Sequence, residues 1–201
     1  MNLEITRRQA VRKLAALDPE KIARCCRLRF EQEQQYFLLP FLNREYRISY
    51  PEGKVYTTRG EEAPIYPSLI MLHYLVTADG EPLAGEWISF RHLPGGGIYM
   101  EPFRKRALDP FLKIYGHQPR AFLSSATILG GYPGSLNGIN RVIPVLPCVP
   151  LLFILWPGDE ELPPSANILF DRSAPAYLPT EDYAHLPGMV IKAMGRSRLS
   201  T

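Results

Sequence analysis

From Val142 to Trp156 the chain carries no charged residue, yet Pro144, Pro147 and Pro150 punctuate the run and Pro157 follows it. A helix interior does not accept proline without losing a hydrogen bond and clashing with the preceding turn. A membrane-spanning helix also needs about 20 apolar residues. The run therefore reads as two strands, 141–147 and 151–156, rather than as a membrane span. The second strand is apolar at every position, so it must lie inside a sheet covered on both faces. That demands a sizeable core. A chain of 201 residues can supply it, because a domain of this length buries about 70% of the surface its unfolded form exposes.

The remaining segments are short, since 20 prolines and 15 glycines are scattered along the chain. Thr6 and Gln9 have capping-box spacing ahead of Val11, Leu14 and Ala15 on one face. Asp18 and Pro19 then restart a helix that is expected to run to about residue 34. Tyr46, Ile48 and Tyr50 alternate with polar residues, turn at Pro51-Glu52-Gly53 and return over 54–57 as a hairpin. An apolar helix over 67–76, a short strand over 86–90 and a glycine loop at 95–97 follow. Helices over 103–115 and 119–129 come next, then the two strands and a third over 168–170. A last helical segment from Thr180 is interrupted by Pro187 and stopped by Gly195.

This order is not a strict strand–helix alternation. It predicts an α+β fold, with a mixed or mainly antiparallel sheet, helices mostly on one side, and two helices in front. One domain over 1–201 is expected, with a helical segment (1–34), an α+β core (35–195) and a frayed tail (196–201).

Residues 1–30 hold Arg7, Arg8, Arg12, Lys13, Lys21, Arg24, Arg27 and Arg29 against Glu4, Asp18 and Glu20. That surplus exceeds the formal +3 of the whole chain, so the rest is slightly acidic. A solvated helix face and a docking surface for an acidic partner both fit. Nucleic acid is disfavoured, because neither aromatic interleaving nor a recognised motif accompanies the charge. The cysteines, Cys25, Cys26 and Cys148, are odd in number and two are adjacent, which is not a secreted disulfide framework. With no apolar signal core at the N-terminus, a cytoplasmic setting is expected.

The densest chemical signal spans 152–171. The apolar strand delivers Trp156 to a turn at Pro157-Gly158, and Asp159, Glu160 and Glu161 follow directly. If the next strand pairs back, Asp171 approaches Asp159, and four carboxylates at one sheet edge would recruit a divalent cation. A solvated acidic turn is the competing reading. Gly130 and Gly131 open a second candidate loop, in which free backbone N–H groups would meet an anion. That loop leaves a helix rather than entering one, so a plain connection competes. Arg141 stands just beyond it, and His117, in a helix-to-helix turn, is the histidine best placed to face a cleft. Trp156, Asp159, Gly130, Gly131, Arg141 and His117 form the ligand-binding set. His73, inside an apolar helix, reads as a satisfied core residue. No catalytic triad stands out, and no cofactor is evident.

Several segments together carry a family likeness. They are Pro82-Leu83-Ala84-Gly85-Glu86-Trp87, Leu129-Gly130-Gly131, Val145-Leu146-Pro147 through Pro150-Leu151, Leu155 through Glu161, Leu169-Phe170-Asp171 and Tyr177-Leu178. The chain resembles an uncharacterised domain-of-unknown-function family of anaerobic bacteria and archaea over roughly residues 15 to 195. Some members are joined to an N-terminal four-cysteine iron–sulfur segment of the kind found in corrinoid proteins, which this chain lacks. The resemblance implies an anaerobic setting beside redox or corrinoid-dependent proteins and transfers no catalytic role. The leading expectation is a non-enzymatic binding or accessory domain. A divalent-cation enzyme built on the acidic turn and a docking module built on the basic helices are the alternatives.

Overall fold

The structure, a computed structural model, describes residues 3–197. Helix α1 (Leu3–Ala15) buries Ala10 and Leu14, and α2 (Pro19–Cys26) buries Ile22, Ala23 and Cys26. The Asp18 carboxylate caps α2 by accepting the Glu20 and Lys21 amides, both at 3.2 Å, with Pro19 in the first turn as expected. The helix ends earlier than the expected residue 34. Arg27 takes a left-handed conformation (φ 52°), and the chain turns into strand β1 (Arg29–Glu31).

Four strands then form an antiparallel meander: β1, β2 (Tyr36–Phe41), β3 (Arg44–Ser49) and β4 (Val55–Thr57). Phe37, Leu39 and Phe41 alternate inward from β2. Leu42 and Asn43 both have positive φ (52° and 57°) between Phe41 and Arg44, as a two-residue hairpin turn requires. This sheet is separate from the one that holds the apolar strand. Sheet residues thus divide into two antiparallel units rather than one.

Helix α3 (Ile65–Thr77) packs against α1 and is buried along most of its length. The second sheet has the order β5-β8-β7-β6, with β5 (Trp87–Ser89), β6 (Ile139–Leu146), β7 (Val149–Trp156) and β8 (Ser165–Asp171) all antiparallel. Strand β7 is central, and Leu151 to Leu155 are 0–3% exposed, as the apolar run predicts. On the inner face, Phe153 meets Phe111 at 5.3 Å between ring centroids. On the outer face, Val142, Leu152, Ile154 and Leu169 form a second, smaller cluster with Trp87 packed against it.

One long helical stretch comprises α4 (Gly96–Phe103), a π turn (Arg104–Leu108) and α5 (Asp109–Tyr115). Pro110 accounts for the π turn. It has no N–H, so the carbonyl of Arg106 loses its usual donor and the ladder shifts register. Gly188 lies against that carbonyl, where an added Cβ would sit 2.6 Å from the oxygen. Helices α6 (Pro119–Ile128), α7 (Thr180–Tyr183) and α8 (Leu186–Ser197) complete the chain. Helix α8 continues past Gly195, where the sequence predicts a stop. The expected frayed tail lies, from residue 198 onward, outside the described residues. No helix of the described residues is long and apolar enough to cross a membrane.

Candidate functional site

The acidic corner does not assemble. Trp156 pairs with Ser165 at the hairpin end of β8, whereas Asp171 is the last residue of that strand and pairs with Trp87. At about 3.3 Å per residue, Asp171 lies roughly 20 Å along β8 from Ser165, away from Asp159. Asp159, Glu160 and Glu161 stay in an exposed turn. There the Asp159 carboxylate accepts the amides of Glu161 at 2.9 Å and Leu162 at 2.8 Å. Bonds from the Leu162 and Glu161 amides hold that carboxyl below its ordinary range. Among the described residues no three His, Cys, Asp or Glu side chains gather as a metal site. The cation set of Asp159, Glu160, Glu161 and Asp171 is therefore dispersed.

Asp171 has a different task. It is 3% exposed and its carboxylate accepts four hydrogen bonds: from the amides of Ala84, Gly85 and Ser173, and from the Ser173 hydroxyl at 2.6 Å. Burial pushes its pKa up, but the Ser173, Ala84 and Gly85 bonds outweigh burial and leave it lowered. The Tyr177 hydroxyl donates to the carbonyl of Glu81 nearby. Three segments that carry the family likeness, 82–87, 169–171 and 177–178, thus meet at one latch.

The glycine loop is also bonded to itself. Gly130 and Gly131 donate to Thr127 and Ala126 of α6 at 2.9 and 2.8 Å, so their amides terminate a helix and are not free for an anion. The loop then folds over the outer face of the second sheet. Tyr132 bridges to Val142, and the Asn140 side chain accepts the Gly134 amide at 2.8 Å while donating to the carbonyls of Leu136 and Gly138. Gly138 lies against the indole of Trp156, which is 40% exposed. Tyr132 and Leu136 are exposed on the same loop. Arg141 is paired with Phe153 on the inner face; its guanidinium donates to the Asn140 carbonyl at 2.9 Å. His117 is exposed on the turn between α5 and α6.

One constellation escaped the sequence. His73 of α3 and Asp182 of α7, 109 residues apart, are joined Nδ1 to Oδ2 at 2.6 Å. His185 lies in the following turn, with its ring 5.9 Å from that of Tyr66. Burial, then the charge of Arg106 in the π turn, lowers the His185 pKa, while Asp182 and Glu181 pull the other way. Tyr66 and His73 are seven residues apart, two turns along α3, which begins at Ile65 rather than at the expected residue 67. Their partners, Asp182 on α7 and His185 in the turn after it, carry no local signal.

The class these features define is an α+β domain built on two antiparallel sheets. The chain belongs to a family of unknown function: the model described as a domain of unknown function, DUF3786, matches residues 18–193. No curated protein and no solved structure matches it.

Proposed function

We propose that the chain is a binding or accessory domain that docks a redox or corrinoid-dependent protein through the outer face of the second sheet. The observation that carries the docking face is Trp156. It ends an otherwise enclosed strand, yet stands 40% exposed beside a loop that also exposes Tyr132 and Leu136. Aromatic side chains grouped at a surface and rimmed by charge, here the turn from Asp159 to Glu161, are what protein interfaces use. The partner class rests on the likeness to a family with iron–sulfur and corrinoid company.

Placing the photo-crosslinking residue benzoylphenylalanine at position 156 in cells tests this. The expected product is one discrete adduct to an iron–sulfur or corrinoid-dependent protein, lost when Tyr132 and Leu136 are changed to serine. The same label at Arg8, on the exposed basic side of α1, should give none. A discrete adduct from position 8 and none from position 156 would move the docking surface to the N-terminal helices. An adduct from position 156 to a protein of neither kind would retain the face and reject the partner class.

A further inference from the structure

Strand β5 forms one edge of the second sheet, and no strand among the described residues pairs with its free side. The ladder to β8 fixes which groups face that side. The Arg172 amide donates to the Glu86 carbonyl at 2.9 Å, so residues 86 and 172 are a hydrogen-bonded pair. Two residues on, Ile88 and Phe170 are the next such pair, because bonded and non-bonded pairs alternate in an antiparallel ladder. The amides and carbonyls of Trp87 and Ser89 therefore point away from β8. Both residues are half-buried, and neither bonds elsewhere through its main chain among the described residues. Such a row of main-chain groups is a template for a further strand.

The flanks of β5 indicate whose strand fits. Glu81 and Glu86 precede it, Arg91 and His92 follow it, and all four are exposed. An antiparallel neighbour of the same sequence sets the acidic end of each strand against the basic end of the other. We propose that two copies of this chain pair through β5 about a two-fold axis, joining their four-stranded second sheets into one. The register is centred on Ile88, since that one uses all the outward groups of β5: Trp87 of each copy exchanges both main-chain bonds with Ser89 of the other. Ile88 then faces its own copy in the close, non-hydrogen-bonded position. It packs on the main core, whereas Trp87 packs on the smaller outer cluster, so the faces of the two sheets match across the axis. Trp87 pairs with Asp171 at the far end of β8 from Ser165, the partner of Trp156, so the contact leaves the surface around Trp156 open.

Sedimentation equilibrium of the full chain tests this, from about 1 to about 200 µM because a small contact associates weakly. The expected result is a monomer–dimer equilibrium that added salt weakens, since the charged ends are exposed. Ser89 has φ −77°, which proline accepts, and its N–H faces away from β8. Ser89→Pro thus removes one outward donor from each copy and leaves the ladder to β8 intact. It should raise the dimer Kd at least about tenfold, as expected for two lost hydrogen bonds. Ser89→Ala loses the hydroxyl contact to His92 but keeps the N–H, so it should remain a dimer. Circular dichroism checks the fold of each variant. A monomer at every concentration overturns the proposal, and so does a dimer that a folded Ser89→Pro leaves at full strength. Should Ser89→Pro fail to fold, the exposed Arg91→Glu decides: it sets acidic residues against Glu86 of the other copy, and association as tight as in the unaltered chain rejects the pairing.

Discussion

The carboxylate of Asp171 holds the backbone of Gly85 at 2.8 Å, tying the end of β8 to a loop 86 residues earlier in the chain. Replacing it with alanine leaves three amides without their acceptor, that of Ser173 buried and those of Ala84 and Gly85 partly so. At about 1–3 kcal/mol for an orphaned buried donor, with partial recovery by water, Asp171→Ala should cost about 3 kcal/mol in urea unfolding. The folded pKa is lowered, so this group's stabilisation is present above its ordinary value of 3.8 and disappears as pH falls through the folded value. The acid limb of the stability curve should therefore be shallower in Asp171→Asn.

His185 gives the opposite end of the acid range. Its folded pKa is lowered by burial and by Arg106, so the neutral ring stabilises the fold above the ordinary 6.5, and that contribution is lost as pH falls through 6.5 toward the folded value. Arg106→Gln removes one of the two depressing influences. In an NMR titration the His185 ring should then protonate at higher pH. An unshifted His185 would show that Arg106 does not act on it.

The three thiols differ first in burial. Cys26 and Cys148 are 0% and 1% exposed, and Cys25 is half-buried. Burial, then the neighbouring Cys25 and Cys148, pushes the Cys26 thiol far up. The native chain should release one equivalent of thionitrobenzoate with a dithiobis-nitrobenzoate reagent, and the remaining two only in denaturant. Three fast equivalents would contradict the packing around Tyr74, whose hydroxyl donates to the Cys26 carbonyl at 2.9 Å.

Two glycines of α8 should respond with opposite sign. An alanine Cβ at Gly188 would lie 2.6 Å from the Arg106 carbonyl oxygen, so Gly188→Ala forces the helix off the π turn at about 1–3 kcal/mol. At Gly195 nothing lies within 4 Å. Gly195→Ala should stabilise by up to about 1 kcal/mol through helix propensity. Thermal melts of the two variants check both, and a shift of the same sign in each would refute the contrast.

What was legible in the sequence was what depends on neighbours along the chain. Asp18 and Pro19 announce α2, and the uninterrupted run from Leu151 to Leu155 announces a central strand. Strand β1 lies inside the expected helix because Gln32, Gln34 and Gln35 look compatible with a continuing helix, while the left-handed Arg27 that ends it is not a glycine. Strand β8 starts at Ser165, three residues before the expected 168, and the resulting register carries Asp171 away from Asp159. Carboxylates close in sequence-based reasoning were thus parted by hairpin length. His73 and Asp182 were joined by tertiary packing, which no local pattern encodes.

The cover over the second sheet's outer face is a loop rather than a helix, and it rests largely on the one amide side chain of Asn140. Both tryptophans of the chain, Trp87 and Trp156, belong to that face. On heating or in denaturant this flank has only the smaller apolar cluster beneath it to lose, so it should open as its own cooperative unit while the helical side stays closed. Indole emission then reports the early detachment of the flap, and the far-ultraviolet signal reports the later collapse of the body.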